Sequence, residues 1–170
     1  VLAEGVRGGY AGVYGVLKVL EERGLTRRGY FVAGLGAAQF SLPGAVDRLR
    51  SLRDTPDREL HPADAEAPVV LAAIDPAQPY GAAIAWPASP GRPARAAGAL
   101  VVSRSGVPLV WFERRSHHVV TFPAAADDTG WAEALARLVK DGRARSVEVR
   151  KVDGELITPA MPAAAALQAA

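Results

Sequence analysis

The chain reads as α+β, on the strength of three features. An amphipathic stretch from Tyr10 to Arg23 runs into an aromatic, basic strand. A polar stretch with three prolines occupies Asp54 to Pro68. Beyond it, short apolar runs alternate with turn residues. Apolar residues make up 49% of 170, enough to fill a core.

From Tyr10 to Arg23, Val13, Val16, Leu17 and Leu20 follow the i, i+3, i+4, i+7 spacing of one helical face, and Gly24 supplies the stop. Thr26 to Ala33 carries residues suited to a strand, broken by Gly34 and Gly36. Val1 to Gly5 reads as the end of an earlier helix. The order helix, turn, helix, strand is that of a winged helix-turn-helix, of which this chain holds the later part. Pro43 to Arg53 reads as a following helix with Val46, Leu49 and Leu52 inward and Arg48, Arg50 and Arg53 outward. The domain boundary is placed in the proline-bearing stretch, giving 1–58 as the winged-helix part with its basic helix and 59–170 as a β-rich α+β module.

In that module, strands are expected over Val69–Ile74, Ala97–Ser103, Val107–Glu113 and His117–Phe122, forming an antiparallel meander. Asp128 to Val139 is an amphipathic helix with Asp128 or Thr129 as N-cap and Trp131, Leu135, Leu138 and Val139 inward. Asp153-Gly154 marks a hairpin between Ser146–Val152 and Glu155–Ile157. The tail from Ala160 reads as a last helix or as disorder. The expected product is a small antiparallel, barrel-like module with one packed helix.

Composition excludes several classes of function. The chain has no cysteine, hence no disulfide, thiolate nucleophile or cysteine zinc site, and it has no apolar run of membrane-spanning length. A cytoplasmic location follows as the expectation. The absence of an initiator methionine points to a segment of a longer polypeptide. Gly34-Leu35-Gly36 lacks the third glycine of a dinucleotide fingerprint, and no phosphate-binding Gly-x-x-x-x-Gly-Lys-Ser/Thr loop occurs. His117 and His118 are neighbours on a strand and face opposite ways, so no metal site is expected. No Gly-x-Ser-x-Gly elbow presents a nucleophile.

Charge is unevenly distributed. Residues 1–53 hold eight Lys and Arg against four acids, which makes this third the candidate electropositive surface. The candidate nucleic-acid-binding residues are Arg27, Arg28, Arg48, Arg50 and Arg53 on phosphates, with Tyr30 or Phe31 stacking on bases. Two further segments carry polar groups beside aromatics. Ile74 to Pro87 places Asp75 as an Asx cap of the Pro76 turn, with Tyr80 and Trp86 over the core or stacked on unpaired bases. Ala38 to Ser41 places Gln39 where it could tie down the loop, bind a base edge or a phosphate, or hold a catalytic water.

Several motifs together resemble a known family. Arg27-Arg28-Gly29-Tyr30-Phe31-Val32, Gly34-Leu35-Gly36-Ala37-Ala38-Gln39-Phe40, Pro43-Gly44-Ala45-Val46-Asp47-Arg48-Leu49-Arg50 and Asp75-Pro76 with Pro79-Tyr80-Gly81-Ala82 resemble the carboxyl-terminal region of the large helicase-related proteins, Lhr. These are bacterial superfamily 2 ATP-dependent DNA helicases. The resemblance spans about Gly9 to Asp153. It implies an accessory domain that binds DNA, single-stranded or forked, within a polypeptide whose helicase domains lie upstream. ATP and magnesium would then belong to those motor domains, and no cofactor is expected in this chain itself. It also implies an arrangement similar to winged-helix DNA glycosylases, with Gln39 or Asp75 positioning water for the removal of a damaged or deaminated base. Gln39-Phe40-Ser41 matches their Gln-aromatic-polar motif only in part, Ser standing where Asp or Gln is expected. A third reading makes the β-rich module a docking or homo-oligomerisation surface.

Overall fold

The structure, a computed structural model, describes residues 5–36, 38–53 and 67–170, with backbone alone for Leu52 and Arg53. The readings of Val1 to Glu4 and of the boundary after residue 58 lie outside the described residues. Those that are described divide into two compact units. One holds the residues up to 53 with Ala82–Ile84, the other 67–81 with 85–170.

In the first unit, helix α1 (Gly9–Glu22) ends where Arg23 caps it and Gly24 turns left-handed at φ +70°, a conformation that costs glycine no steric penalty. The Leu20 carbonyl then accepts the amides of Leu25 and Thr26, which turns the chain into strand β1 (Arg27–Gly29). Strand β2 (Gln39–Ser41) pairs with it antiparallel, Arg27 opposite Ser41, Arg28 opposite Phe40 and Gly29 opposite Gln39. Helix α2 (Ala45–Arg53) follows. The strand is shorter than the expected Thr26–Ala33. Val16 also departs from expectation, being 62% exposed, and α1 buries no residue fully.

The second unit is built on a six-stranded sheet in the order β3 (Val69–Ala72), β4 (Ala99–Arg104), β5 (Val107–Glu113), β6 (His118–Thr121), β7 (Lys151–Val152), β8 (Glu155–Leu156). The first four strands form the expected antiparallel meander. The barrel-like, wholly antiparallel expectation is corrected in two respects. The connection from β6 to β7 passes through helix α3 (Gly130–Lys140), so these strands pair in parallel, as such a crossover requires. The sheet stays open, with β3 and β8 at its edges and no pairing between them.

Alternation sends side chains to two cores. Val102 opposite Val110, and Phe112 opposite Val119, face Trp131, Leu135 and Leu138 of α3, joined by Ala163, Ala166 and Leu167 of helix α4 (Pro162–Ala169). On the other face Val101, Trp111 and Val120 lie in one cross-strand row, with Phe122 and Ala73 beside them. Residues 73–81 and 85–98 of this unit form no helix or strand, and Ala96 lies against this face. Trp86 packs on it, and the Trp111 indole N–H donates to Ala94 O at 2.9 Å. Uncommonly long for an ordered loop, this segment carries its own internal scaffold. Gln78, only 2% exposed, donates to Ala73 O and Tyr80 O and accepts from Tyr80 N. Arg95 donates to the carbonyls of Gln78, Ile74 and Asp75. At Gly81 (φ +75°) a Cβ would collide with the Trp86 indole, so the close approach of backbone to ring requires glycine.

Arg104 at the end of β4 grips Asp128 ahead of α3, Nε to Oδ2 at 2.5 Å and Nη2 to Oδ1 at 3.0 Å. Asp128 Oδ1 also accepts from Gly130 N at 2.9 Å. The helix thus opens on Asp128's hydrogen bond, with Thr129 as the cap residue and no cap bond from its own side chain. The guanidinium holds the Asp128 carboxyl below the usual carboxylate range, and the carboxylate in turn raises Arg104.

Candidate nucleic-acid interface

The wing of the first unit is held by an aromatic chain and by one amide. Tyr10 and Tyr14 on α1 stand 5.8 Å apart, and Tyr14 meets Phe40 of β2 edge-on at 6.1 Å. The Tyr10 hydroxyl donates to Ala38 O, which ties the helix to the returning arm of the loop. Gln39 Oε1 accepts from Phe31 N at 2.9 Å and Val32 N at 2.8 Å, while Nε2 donates to Val32 O at 2.9 Å and Gly36 O at 3.0 Å. Its carboxamide therefore stands in for the strand pairing that β1 would otherwise have continued. Both ends of the group are occupied by backbone. Ser41 Oγ is buried with no hydrogen-bond partner among the described residues. Of the three side-chain polar atoms of the Gln39-Phe40-Ser41 motif, two are engaged by the loop backbone and the third is buried.

The connection between the strands begins with Tyr30, 81% exposed and with no ring partner among the described residues. Phe31 is half-buried and folds back over Gly29, where a Cβ would meet its ring at 3.0 Å. Of the two aromatics, Tyr30 is the one available to a base. Arg27 and Arg28 are both exposed on β1, but Arg28 Nε lies 3.4 Å from Glu21 Oε1, whereas Arg27 makes no ion pair among the described residues. On α2, Arg50 lies 3.6 Å from Asp47 across one turn, and Arg48 is exposed and without an ion pair among the described residues. The side chain of Arg53 lies outside the description. A shallow cleft of about 300 Å³ joins the end of α1, β1 and the first turn of α2, with Thr26, Arg27, Arg28 and Val46 on its walls. Arg27 and Arg28 thus share one cleft with the start of the helix that carries Arg48 and Arg50.

Asp75 belongs to the second unit, where its Oδ1 accepts from Ala77 N at 2.8 Å, the expected Asx turn. The histidines have local partners. His117, at φ +53°, has Nδ1 3.2 Å from Glu148 O, and His118 Nε2 accepts from Gly154 N at 3.0 Å. Among the described residues no group of acids and histidines is arranged to hold a metal ion, and no helix is long and apolar enough to cross a membrane.

One feature of the second unit has no counterpart in the sequence reading. A cavity of about 640 Å³ opens beside the last residues of β6 and the start of α3, with Phe122 and Trp131 among its apolar walls and Thr121, Asp153 and Glu155 as polar ones. Asp153, at φ +54°, accepts from Thr121 N at 2.8 Å and from Thr121 Oγ1 at 2.7 Å. Behind Phe122 the rings continue, Trp86 parallel to it at 5.8 Å and Tyr80 beyond at 5.9 Å. The only local signal was Asp153-Gly154, and as a turn marker it says nothing of Thr121, which lies 32 residues away.

Residues 1–61 match the winged-helix domain of the large helicase-related proteins. Over 156 residues, 89% of its length, the chain is 49% identical to a Mycolicibacterium smegmatis protein named Lhr helicase/probable uracil glycosylase, of which it covers 10%. Over 113 residues, 65% of its length, it is 40% identical to an Escherichia coli protein named Lhr helicase/uracil glycosylase, of which it covers 7%. The chain spans a tenth or less of the length of these relatives.

Proposed function

The chain belongs to the large helicase-related proteins, and from that premise we propose that it is a DNA-binding accessory module of an ATP-dependent helicase, acting on single strands and forks. The observation that carries this reading is the end of β1, where exposed Tyr30 stands two residues beyond Arg28 on a hairpin locked by Gln39. In this reading Tyr30 stacks on an unpaired base while Arg27 and Arg48, which make no ion pair among the described residues, meet phosphates. Arg28 and Arg50 would exchange Glu21 and Asp47 for phosphate on binding, and Arg53 extends the same basic helix. Motor activity, ATP and magnesium belong in this reading to other parts of the polypeptide. Fluorescence anisotropy on labelled single-stranded, forked and duplex DNA tests it. Salt-sensitive binding that favours the first two supports the module, and no binding at low salt removes it.

A second reading is favoured by the cavity in the second unit together with the names of the relatives. A pocket walled by Phe122 and Trp131, with the Asp153 and Glu155 carboxylates at its edge, suits a base swung out of the stack. In a glycosylase those carboxylates would orient water or steady positive charge on the sugar. The reading rests on this cavity rather than on Gln39, whose carboxamide is engaged at both ends by its own loop, or on Asp75, whose Oδ1 holds an Asx turn. The chain and its Asp153→Asn variant would be incubated with uracil-containing strands, followed by alkaline cleavage of abasic sites. Product from the parent that disappears in the variant supports it, and no product above a protein-free control sinks it for this chain.

A further inference from the structure

We propose that the β5–β6 end of the second unit's sheet is a separate contact surface for the phosphate backbone of a nucleic-acid strand, distinct from the wing and on the other unit. The inference rests on the reading of the chain as a DNA-binding module and extends it.

The surface is assembled by the turn that follows β5. Arg114 and Arg115 lie in that turn and are exposed. His117 closes it with a left-handed backbone, and its carbonyl accepts two amides, Arg150 N at 2.8 Å and Lys151 N at 3.1 Å. Its ring meets Glu148 O at 3.2 Å, and His118 pairs across the sheet with Lys151. Paired strands run about 4.8 Å apart, so the turn and the approach to β7 form one fastened edge. Along that approach Val147 and Val149 pack inward, while Arg143, Arg145 and Arg150 are exposed.

The two short segments 113–118 and 143–151 hold six cations and two carboxylates. Both carboxylates are occupied. The Ser116 hydroxyl donates to Glu113, and Glu148 takes Arg150 Nε at 2.8 Å with His117 beside it. Arg114, Arg115, Arg143, Arg145 and Lys151 remain exposed and make no ion pair among the described residues. Elsewhere in the unit Arg104, Arg137 and Arg95 are spent on Asp128, Glu133 and backbone carbonyls. A solvated surface that serves solubility intersperses both signs. Five exposed like charges, without ion pairs among the described residues, on two segments that backbone bonds join at His117 are instead arranged for a polyanion. Four of the five are guanidinium groups, whose fork matches phosphate oxygens two at a time.

The test uses the full chain and a fluorescein-labelled oligothymidylate, with affinity measured by anisotropy over a range of salt. Arg114→Ala with Arg115→Ala, and Arg143→Ala with Arg145→Ala, should each lower the slope of log affinity against log salt by about 1.4, two contacts at about 0.7 each for a single strand. Arg114→Lys with Arg115→Lys should keep the slope and so exclude a folding defect. An unchanged slope in both alanine pairs, with a lowered slope in Arg27→Ala with Arg48→Ala, would overturn the proposal and leave the wing unit as the sole contact. Displacement of the oligonucleotide from the parent but not from the Arg114, Arg115 alanine pair by polyglutamate at lower concentration would assign the edge to acidic protein and overturn it too. Absence of any binding by the parent chain would instead show that the DNA-binding reading itself has failed.

Discussion

The two units spend their sequences differently. In the second, both faces of the sheet are covered, and Trp131, Phe112, Leu135 and Val110 are almost fully enclosed. In the first, α1 buries nothing fully, and Val16, Leu25 and Leu42 are more than half exposed. The wing keeps its shape through two ring contacts and the four hydrogen bonds of Gln39. Burial stabilises at roughly 25 cal/mol per Å² of apolar surface, so the second unit gains far more from its side chains than the first. Elements with few buried contacts open most easily. The proposed base-reading tyrosine therefore sits on the looser unit, and the cavity and the basic end of the sheet sit on the firmer one.

The largest expected effect contrasts the two kinds of aromatic. Trp131→Ala should cost about 3–5 kcal/mol in urea unfolding, because it empties the centre of an enclosed core. Tyr14→Ala in α1 should cost no more than about 1 kcal/mol, since its ring contacts lie in a shallow setting. Equal costs would erase the contrast.

Next in size is the Arg104–Asp128 clamp. Asp128→Ala should cost about 1–3 kcal/mol, because the Arg104 guanidinium loses its two bonds to the carboxylate and the Gly130 amide loses its acceptor. The carboxyl is held below its ordinary range chiefly by the Arg104 hydrogen bond. The stabilisation should therefore be complete above the unfolded-state value of about 3.9 and fade as pH falls through the lower folded value. Unfolding midpoints collected across acidic pH would show this loss in the parent and a weaker one in the variant.

Gln39→Ala tests how the wing is held. Hydrogen exchange at Phe31 and Val32 should quicken as their acceptor disappears, while the second unit's amides keep their protection. Unchanged exchange at those two positions would mean the loop is held by other contacts. Smallest for stability is Tyr30→Ala, which should stay within about 0.5 kcal/mol of the parent because the ring touches little. The same change should weaken single-strand binding by about 1–3 kcal/mol, the worth of one base stacked on a ring.

Where local pattern decided the structure, the sequence was sufficient. Strand β5 runs over Val107–Glu113 as read, and the Asp153-Gly154 turn joins β7 and β8 as read. Departures arise where a distant group takes over a local bond. β1 stops at Gly29 because the Gln39 side chain captures the next amides. β7 starts only at Lys151 because the His117 carbonyl holds the chain just before it. The closed sheet failed on topology, since the α3 crossover puts β7 parallel to β6 and leaves β8 an edge. Of the site, the exposure of Arg27 and Tyr30 followed from their place at a glycine-broken strand end. That Phe31 turns inward, and that Glu21 and Asp47 occupy Arg28 and Arg50, depends on contacts no spacing rule encodes. The cavity draws on segments from Ala88 to Ala163, so no single window could announce it.

The account's central claim is that Arg27 and Arg48 of the first unit, which make no ion pair among the described residues, meet phosphates. Its most direct test is the salt dependence of single-strand binding by the parent chain and by Arg27→Ala with Arg48→Ala. The slope of log affinity against log salt should fall by about 1.4 in the variant, with the unfolding midpoint unchanged. An identical slope in both proteins would contradict the claim.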